Sequence, residues 1–202
     1  MRILNIIFDL GGVVIDLDVK RTYEGFRRLF GEDVMNLEHG YLRSSLQTDY
    51  EIGAIDSEEF LDGLEALALE GVTRQDIIDA WNAMLIGIPK ERALTLESLS
   101  DKYRIFILSN TNSIHEECFE RMLPGHEKLS DIFEKAYYSH RIGCRKPDPE
   151  AFKVVLEGSG LKPEETLFVD DLELNIEAAK KLNLHTLHVM QNMEIADIFK
   201  DW

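Results

Sequence analysis

The chain has 202 residues, 38 of them acidic and 22 basic, which gives a formal net charge of −16 at pH 7. This charge repels nucleic acid and anionic membrane surfaces, so it favours a small molecule as the binding partner. A chain of this length can bury a full hydrophobic core without disulfides or a structural metal.

The cysteines and the amino-terminal pattern bear on localisation. Cys118 and Cys144 form neither a CxxC pair nor a zinc-like cluster with histidine, which fits a reducing cytoplasm. The first apolar run is broken by Asp9, Asp16 and Asp18, so no signal peptide or membrane span is predicted. We expect a cytoplasmic monomer or small homo-oligomer that binds a small molecule rather than nucleic acid or a membrane.

The first predicted element is the apolar run of residues 3–8, which leads into Asp9 and then Gly11 and Gly12. A short apolar run bounded by turn signals is typical of a strand buried on both faces of a parallel sheet. Asp9 would then lie at the edge where open α/β sheets bind ligands, and the glycines would allow close backbone approach. Capping of a turn by Asp9 is the alternative at this point.

The next part of the chain is predicted to be helical. Residues 13–19 (VVIDLDV) alternate between apolar and acidic side chains, and we interpret them as a solvated linker. From residue 20 to about residue 88, apolar side chains at three- and four-residue spacing predict helices and no strand. Two pairs have the spacing of capping boxes: Asp56 with Glu59, and Thr73 with Asp76. Residues 50–55 (YEIGAI) predict a turn-bearing loop, either a substrate lid or a connection.

From residue 90 onward, helix and strand patterns alternate, which is typical of a parallel sheet with crossover helices. The strand pattern of residues 104–110 ends in Ser109 and Asn110, just before a predicted helix. A hydroxyl and free backbone amides at such a junction suit a phosphate group, although helix capping is the alternative.

Two more groups carry charge at predicted element ends. Lys146 stands just before a helix start, where a cation is unfavourable unless an anion lies between it and the helix. An exposed surface lysine is the alternative. Asp170 and Asp171 end the apolar strand of residues 166–169, and adjacent carboxylates are costly without a nearby positive charge. A divalent cation is the simplest candidate.

Asp9, Ser109, Lys146 and Asp171 thus follow one another at or just beyond predicted strand ends. With this order the whole chain resembles the haloacid dehalogenase superfamily, whose four motifs are a strand-end Asp, a Ser or Thr, a Lys and an acidic pair. The segments DLGGVVIDLD, SNTNSIH, RKP and DDLELNI look closest to its small sugar-phosphate phosphatases of the glucose-1-phosphatase kind.

The resemblance implies a fold and an activity. The fold would be α/β, a doubly wound parallel sheet of Rossmann-like topology over residues 1–17 and 89–202, with a helical cap of type 1 over residues 18–88. The activity would be a magnesium-dependent phosphomonoesterase that acts on a small phosphorylated metabolite, such as a sugar phosphate.

The resemblance also implies roles for the metal ligands and the nucleophile. Asp9 would attack phosphorus to give an aspartyl-phosphate that water then hydrolyses. Mg²⁺ would be bound by Asp9, the backbone carbonyl of Gly11 and Asp171. Asp170 would support these ligands without binding the ion directly. Asn175 would support the acidic loop.

By the same resemblance, five residues would bind the phosphoryl group. Ser109 and Lys146 would contribute side chains, and the backbone around Leu10, Gly11 and Asn110 would contribute fixed donors. Such donors and a cation stabilise the charge that spreads over the phosphoryl oxygens during transfer.

Gly11 departs from the phosphatase pattern, which usually has at this position a second Asp that protonates the leaving oxygen. General acid catalysis is worth about 10²–10⁴-fold, so the glycine bears on which phosphates can be cleaved. Three residues are candidates to replace the acid: Asp16, Asp18 and His115.

Two other functions remain open. A 2-haloacid dehalogenase also lacks the second Asp, although a metal-free site has no need of Asp170 beside Asp171. A binding protein that kept the fold and lost turnover is the third reading, because fold alone does not determine function.

Overall fold

The computed structural model describes residues 2–32 and 45–202. The part of the predicted helical region that covers residues 33–44 therefore lies outside the described residues. Seven strands are described: β1 (Asn5–Phe8), β2 (Asp16–Leu17), β3 (Leu85–Gly87), β4 (Arg104–Ser109), β5 (Lys135–Tyr138), β6 (Thr166–Asp170) and β7 (His185–His188).

Ten helices are described, with two short 3-10 turns at Leu129–Ile132 and Pro163–Glu165. Between β2 and β3 lie α1 (Val19–Phe30), α2 (Ser45–Glu51), α3 (Ser57–Glu65) and α4 (Arg74–Asn82). The remaining helices are α5 (Lys90–Ser100), α6 (Ser113–Phe119), α7 (Ser139–Ile142), α8 (Pro149–Gly158), α9 (Glu173–Lys181) and α10 (Ile195–Ile198). No helix within the described ranges is both long and apolar enough to cross a membrane.

Five strands form a parallel sheet in the order β5-β4-β1-β6-β7, with β1 at the centre. Successive β1 side chains point to opposite faces: Ile6 packs in one apolar cluster and Ile7 in the other. Helices cover both faces, with α5 packed against the first cluster and α8 against the second, through Leu96 and Phe152 respectively. The predicted α/β fold with a doubly wound parallel sheet is confirmed.

The helices between β2 and β3 form a third apolar cluster, which Ile114 of α6 joins. Phe26, Phe60 and Trp81 lie at its centre, and their rings pack at centroid distances of 5.1 to 5.9 Å. Both predicted capping boxes are present, at the amino termini of α3 and α4. The boundaries of this unit as a domain, residues 18–88, stay a prediction.

The prediction that residues 20–88 contain no strand is wrong. Within that range β3 pairs in antiparallel fashion with β2, so the predicted linker of residues 13–19 is also part of a ribbon. Pairings of two or three residues are too short to show the alternation by which a strand is predicted. The buried Arg92 side chain anchors the ribbon, since its Nη1 lies 3.0 Å from Asp16 Oδ1 and its Nε donates to Glu194 Oε2 at 2.8 Å.

The loop predicted at residues 50–55 begins later than expected. Tyr50 and Glu51 are the last residues of α2, and the turn starts after them. Tyr50 is buried, and its hydroxyl lies 2.9 Å from those of Ser57 and Ser113. Because Ser113 begins α6, this network joins the inserted helices to the sheet domain.

A second link between the two parts is formed by Trp81, Asn112 and His115. Trp81 Nε1 donates to Asn112 Oδ1 at 3.2 Å, and His115 Nε2 donates to the carbonyl of Trp81 at 3.1 Å. Asn112 Nδ2 lies 3.2 Å from His115 Nδ1, which accepts from it when the ring is neutral. Burial lowers the pKa of His115 from 6.5 to about 4, and the bond to Trp81 offsets this only in part.

We expect this histidine to make stability depend on pH. The unfolded chain binds a proton near pH 6.5 and the folded chain only near pH 4, so stability present above pH 6.5 is lost as the pH falls towards 4. The full window is worth on the order of 3 kcal/mol. In His115→Gln, the fall in unfolding free energy across this window should be smaller by that amount, measured by urea titration at several pH values.

The matched control is His126→Gln, which removes a partly exposed histidine that contacts Glu97. This variant should still show the fall in unfolding free energy that His115 causes as the pH drops from 6.5 to 4. Equal pH profiles for His115→Gln and the wild type would contradict the assignment of a buried, neutral His115.

Candidate active site

The register of the sheet brings the predicted strand-end residues to one edge. Phe8, the last residue of β1, lies opposite Ile107 of β4 and Val169 of β6. Asp9 and Asp170 therefore follow directly on neighbouring strands, and the amide of Asp9 donates to the Val169 carbonyl at 2.9 Å. Ser109 ends β4 on the other side of β1 and is buried.

Lys146 joins the two carboxylates from the loop before α8. Its Nζ lies 2.7 Å from Asp9 Oδ1 and 2.7 Å from Asp170 Oδ2, with the side chain 1% exposed. Burial alone would lower the pKa of Lys146, but Asp9 and Asp170 raise it above the usual value. The site therefore holds a permanent buried cation between two carboxylates.

Asn110 fixes the backbone that carries this lysine. Its Oδ1 accepts from the amide of Lys146 and its Nδ2 donates to the Lys146 carbonyl, both at 2.8 Å. The structure thus gives the Asn110 side chain a positioning role that the sequence did not indicate. Binding of phosphate by the backbone at Leu10 and Asn110 stays a prediction.

Asp170 is surrounded by donors. In addition to Lys146, its oxygens accept from the amide of Leu172 at 2.8 Å and from Asn175 Nδ2 at 3.0 and 3.1 Å. These contacts agree with the expected support of the acidic loop by Asn175. Asp171 is only partly buried, and it is the freer of the two adjacent carboxylates.

The electrostatics of the site favour an added cation. Burial raises the pKa of Asp9 well above its usual value against the opposing charge of Lys146, and the charge of Asp170 raises it further. Burial and the charge of Asp170 also raise the pKa of Asp171. A divalent cation would relieve the repulsion among these three carboxylates.

The residues present fit a magnesium ion. One oxygen from each of Asp9, Asp170 and Asp171 can lie within 4.8 Å of the others, and hard oxygens are the ligands that Mg²⁺ prefers. Gly12 leaves room for the Asp171 carboxylate, because a Cβ at position 12 would lie 2.5 Å from Asp171 Oδ2. The backbone of Gly12 has φ +74°, a conformation that favours glycine. Coordination by the carbonyl of Gly11 stays a prediction.

The space above Gly11 is filled by Leu17. A Cβ at Gly11 would lie 2.7 Å from Leu17 Cδ1, so the ribbon covers the position where the phosphatase pattern has its second Asp. The signal for this contact is absent from the sequence, because Leu17 reaches Gly11 only through the pairing of β2 with β3.

The three candidate replacement acids are engaged elsewhere. Asp16 pairs with Arg92, as described above. Asp18 caps α1, where it accepts from the amide of Lys20 at 3.2 Å. His115 links α6 to Trp81 in its neutral form. None of these three side chains is brought to Asp9 by the contacts described here.

A cavity of about 150 Å³ lies between the inserted helices and the loop after β4. Its lining combines polar and apolar groups, among them Tyr23, Gln47, Glu51, Trp81 and Asn110. Glu51 falls in the segment of residues 50–55 predicted as a lid or a connection, whereas Gln47 was not predicted, because a polar residue on a helix is typical of a solvated face.

Comparisons with known proteins agree with this geometry. A family model described as haloacid dehalogenase-like hydrolase matches residues 3–183. The chain is 30% identical over 186 residues to a D-ribitol-5-phosphate phosphatase of Bacteroides thetaiotaomicron, covering 91% of this chain and 90% of that protein. It is 25% identical over 190 residues to a phosphorylated carbohydrates phosphatase of Thermotoga maritima, covering 91% and 83% of the two chains.

A solved structure is similar over nearly the whole chain. It is a HAD family enzyme of Bacteroides thetaiotaomicron in complex with magnesium and inorganic phosphate. The TM-score is 0.89 at 35% identity, with 98% of this chain and 99% of that chain covered.

Proposed function

This chain belongs to the haloacid dehalogenase-like hydrolase family, and we propose that it is a magnesium-dependent phosphomonoesterase of small sugar or sugar-alcohol phosphates. The observation that carries the proposal is Lys146, which lies 2.7 Å from both Asp9 and Asp170 beside a third carboxylate at the binding edge of the sheet. Phosphoryl transfer requires such a combination of a nucleophile, a cation and metal ligands.

The nucleophile in this proposal is Asp9. One of its carboxylate oxygens bonds to phosphorus while the bond from phosphorus to the leaving oxygen breaks, and the leaving oxygen departs with the electron pair of that bond. Water then hydrolyses the aspartyl-phosphate, which releases inorganic phosphate and restores the carboxylate. Because a carboxylate attacks only when ionised, Lys146 favours the reactive form through its charge.

The other residues bind and orient the substrate. Lys146 and Ser109 contact the phosphoryl oxygens, with the backbone of Leu10, Gly11 and Asn110, and Asn110 also keeps the lysine in place. Fixed donors of this kind stabilise the charge of the transition state without reorganisation.

The metal site would be formed by Asp9, the Gly11 carbonyl and Asp171, while Asp170 holds Lys146 and is held by Asn175. When bound there, Mg²⁺ neutralises phosphoryl charge and acts as a Lewis acid.

The dehalogenase reading is less well supported. A metal-free site would leave three neighbouring carboxylates with one cation, Lys146, which among the described contacts reaches Asp9 and Asp170 but not Asp171. The raised pKa values of Asp9 and Asp171 show that this one cation does not offset their burial and mutual repulsion. A divalent cation accounts for the clustering of the three carboxylates and would offset the repulsion that raises the pKa values of Asp9 and Asp171.

A substrate panel tests the proposed function. We expect phosphate release from sugar and sugar-alcohol phosphates with Mg²⁺, loss of turnover on adding a chelator, and recovery with excess Mg²⁺. Halide release from 2-haloacids without metal would favour the dehalogenase. Absence of turnover on both panels, with no thermal shift from fluoride-based phosphate mimics and Mg²⁺, would favour a binding protein.

We further propose a cytoplasmic monomer or small homo-oligomer. Both cysteines are free, as in proteins of a reducing compartment. Light scattering of the purified protein measures the oligomeric state directly.

The glycine at position 11 leads to a prediction about leaving groups. Without a proton donor beside Asp9, the chemical step should depend steeply on leaving-group acidity, so aryl and anomeric phosphates should react faster than primary alkyl phosphates. Gly11→Asp combined with Leu17→Ala provides a donor and the space that Leu17 Cδ1 now fills. We expect the alkyl substrate to gain roughly 10- to 100-fold more than the aryl substrate.

Single-turnover phosphorylation with one aryl and one alkyl phosphate measures this difference. The control is Leu17→Ala alone, which opens the space without a donor and should leave the alkyl-to-aryl ratio unchanged. Equal gains or losses for both substrates in the double variant would show that the missing acid does not limit the enzyme.

A further inference from the structure

His188 is the last residue of β7 and lies at the same edge of the sheet as the proposed metal site. It is paired opposite Asp170, the last residue of β6. The His188 ring is half-buried, and its Nε2 donates a hydrogen bond to the main-chain carbonyl of Asp171 at 2.9 Å. This histidine therefore holds the backbone of a proposed metal ligand.

The hydrogen bond from His188 extends the pairing of β6 with β7 beyond the end of β6. A main-chain bond joins the amide of Val189 to the carbonyl of Asp170 at 3.0 Å. After Asp170 the chain turns towards α9, which begins at Glu173, so the Asp171 carbonyl lies outside the strand. A carbonyl that leaves a strand ladder needs another donor, and the His188 side chain supplies it.

The carboxylate of Asp171 is confined by the loop after β1. A Cβ at Gly12 would lie 2.5 Å from Asp171 Oδ2, so this oxygen packs directly against the glycine. Asp171 thus contacts β7 through its carbonyl and the loop after β1 through its carboxylate. Because His188 binds the carbonyl, its hydrogen bond leaves both carboxylate oxygens available to a metal ion.

Asp171 needs this restraint more than its neighbour does. The Asp170 carboxylate accepts hydrogen bonds from the three residues described above, and Asp170 is fully buried. Asp171 is only partly buried, and repulsion between adjacent carboxylates favours turning it away from the site when no cation is bound. A backbone fixed at the carbonyl limits this movement, so less conformational freedom is lost when a metal ion binds.

Resting on the proposed magnesium site, we propose that His188 is a positioning residue, which holds the Asp171 backbone so that the Asp171 carboxylate faces the metal ion. The proton on Nε2 carries this role, since a carbonyl oxygen can only accept. Removal of a group that holds a metal ligand in place typically lowers metal affinity by about 10–100-fold. We therefore expect His188 to raise the affinity for Mg²⁺ without binding the ion.

Isothermal titration calorimetry with Mg²⁺ alone, in the absence of substrate, measures this effect. His188→Leu removes the donor, and we expect the Kd for Mg²⁺ to rise roughly 10- to 100-fold. His188→Gln places an amide donor near the position of the imidazole Nε2 and should recover most of the lost affinity. Because glutamine is uncharged, this recovery separates the hydrogen bond from any charge on the ring.

The matched control is His185→Leu, at the first residue of the same strand. His185 Nε2 donates to the carbonyl of Glu164, in the turn before β6, at 3.1 Å. This bond has the same form as the bond from His188 and lies about 10 Å away along the strand. Its loss should leave the Kd for Mg²⁺ unchanged.

A urea titration shows whether each variant is folded. If His188→Leu does not fold, His188→Asn withdraws the amide donor by one methylene relative to glutamine and should raise the Kd as well. Wild-type Mg²⁺ affinity in the folded variant, or equal weakening by His188→Leu and His188→Gln, would overturn the proposal. Absence of Mg²⁺ binding by the wild type would instead overturn the metal site on which the proposal rests.

Discussion

Replacement of Asp9 by asparagine should lower kcat by at least about 10⁴-fold while the protein stays folded. An amide cannot form the bond to phosphorus, so the reaction through an aspartyl-phosphate stops at its first step. The fold should tolerate the change because burial raises the pKa of Asp9 and disfavours its charged form. The amide oxygen can still accept from Lys146, which keeps Asp170 as its charged partner.

Steady-state phosphate release and a urea titration measure the two parts of this prediction. The control is Asp79→Asn, which makes the same change on α4 at a residue that accepts only from Gln75 among the described contacts. A folded Asp9→Asn protein with more than about one hundredth of wild-type turnover would contradict the role of Asp9 as nucleophile.

The second large effect is expected from Lys146→Met, which keeps much of the side-chain volume and removes the charge. Asp9 and Asp170 would lose their shared cation, and leaving buried charges without a partner costs about 3–5 kcal/mol. Turnover should fall by about 10²–10³-fold or more, as it does on loss of one preorganised group at the reacting atoms.

A double-mutant cycle separates the two contributions. Adding Asp9→Asn to Lys146→Met removes one of the unpaired carboxylates, so part of the lost unfolding free energy should return. Effects on stability that simply add would contradict a direct interaction between Lys146 and Asp9. Wild-type turnover in Lys146→Met would contradict its proposed contact with the phosphoryl group.

The sequence predicts the central strands of this fold because strands buried on both faces are continuous apolar runs. The segments of residues 3–8 and 166–169 are apolar runs followed by carboxylates, and β1 takes the central place in the sheet that its pattern predicts. The common edge then follows from parallel pairing alone. Strands β5 and β7 lie at the sheet edges, and their KAYY and HTLH sequences lack such a run.

The contacts that tune the site could not be predicted in this way. Leu17 reaches Gly11 through a ribbon of two paired positions, which is too short to leave a periodic signal. Glu51 and Arg145 are far apart in the chain and meet only when the inserted helices pack on the sheet domain. The position of Asn110 after a strand predicts a place at the binding edge. Its two hydrogen bonds to the backbone of Lys146 depend on the path of a loop that is distant in the sequence.

The most direct test of the account is to trap the covalent intermediate on Asp9. Enzyme, Mg²⁺ and a sugar phosphate are mixed, quenched in acid within the first turnover, digested and analysed by mass spectrometry. We predict one added phosphoryl group on the peptide that contains Asp9, with no such addition in the presence of a chelator or in Asp9→Asn. Phosphate release by the wild type with an unmodified Asp9 peptide, together with turnover by Asp9→Asn, would contradict the mechanism.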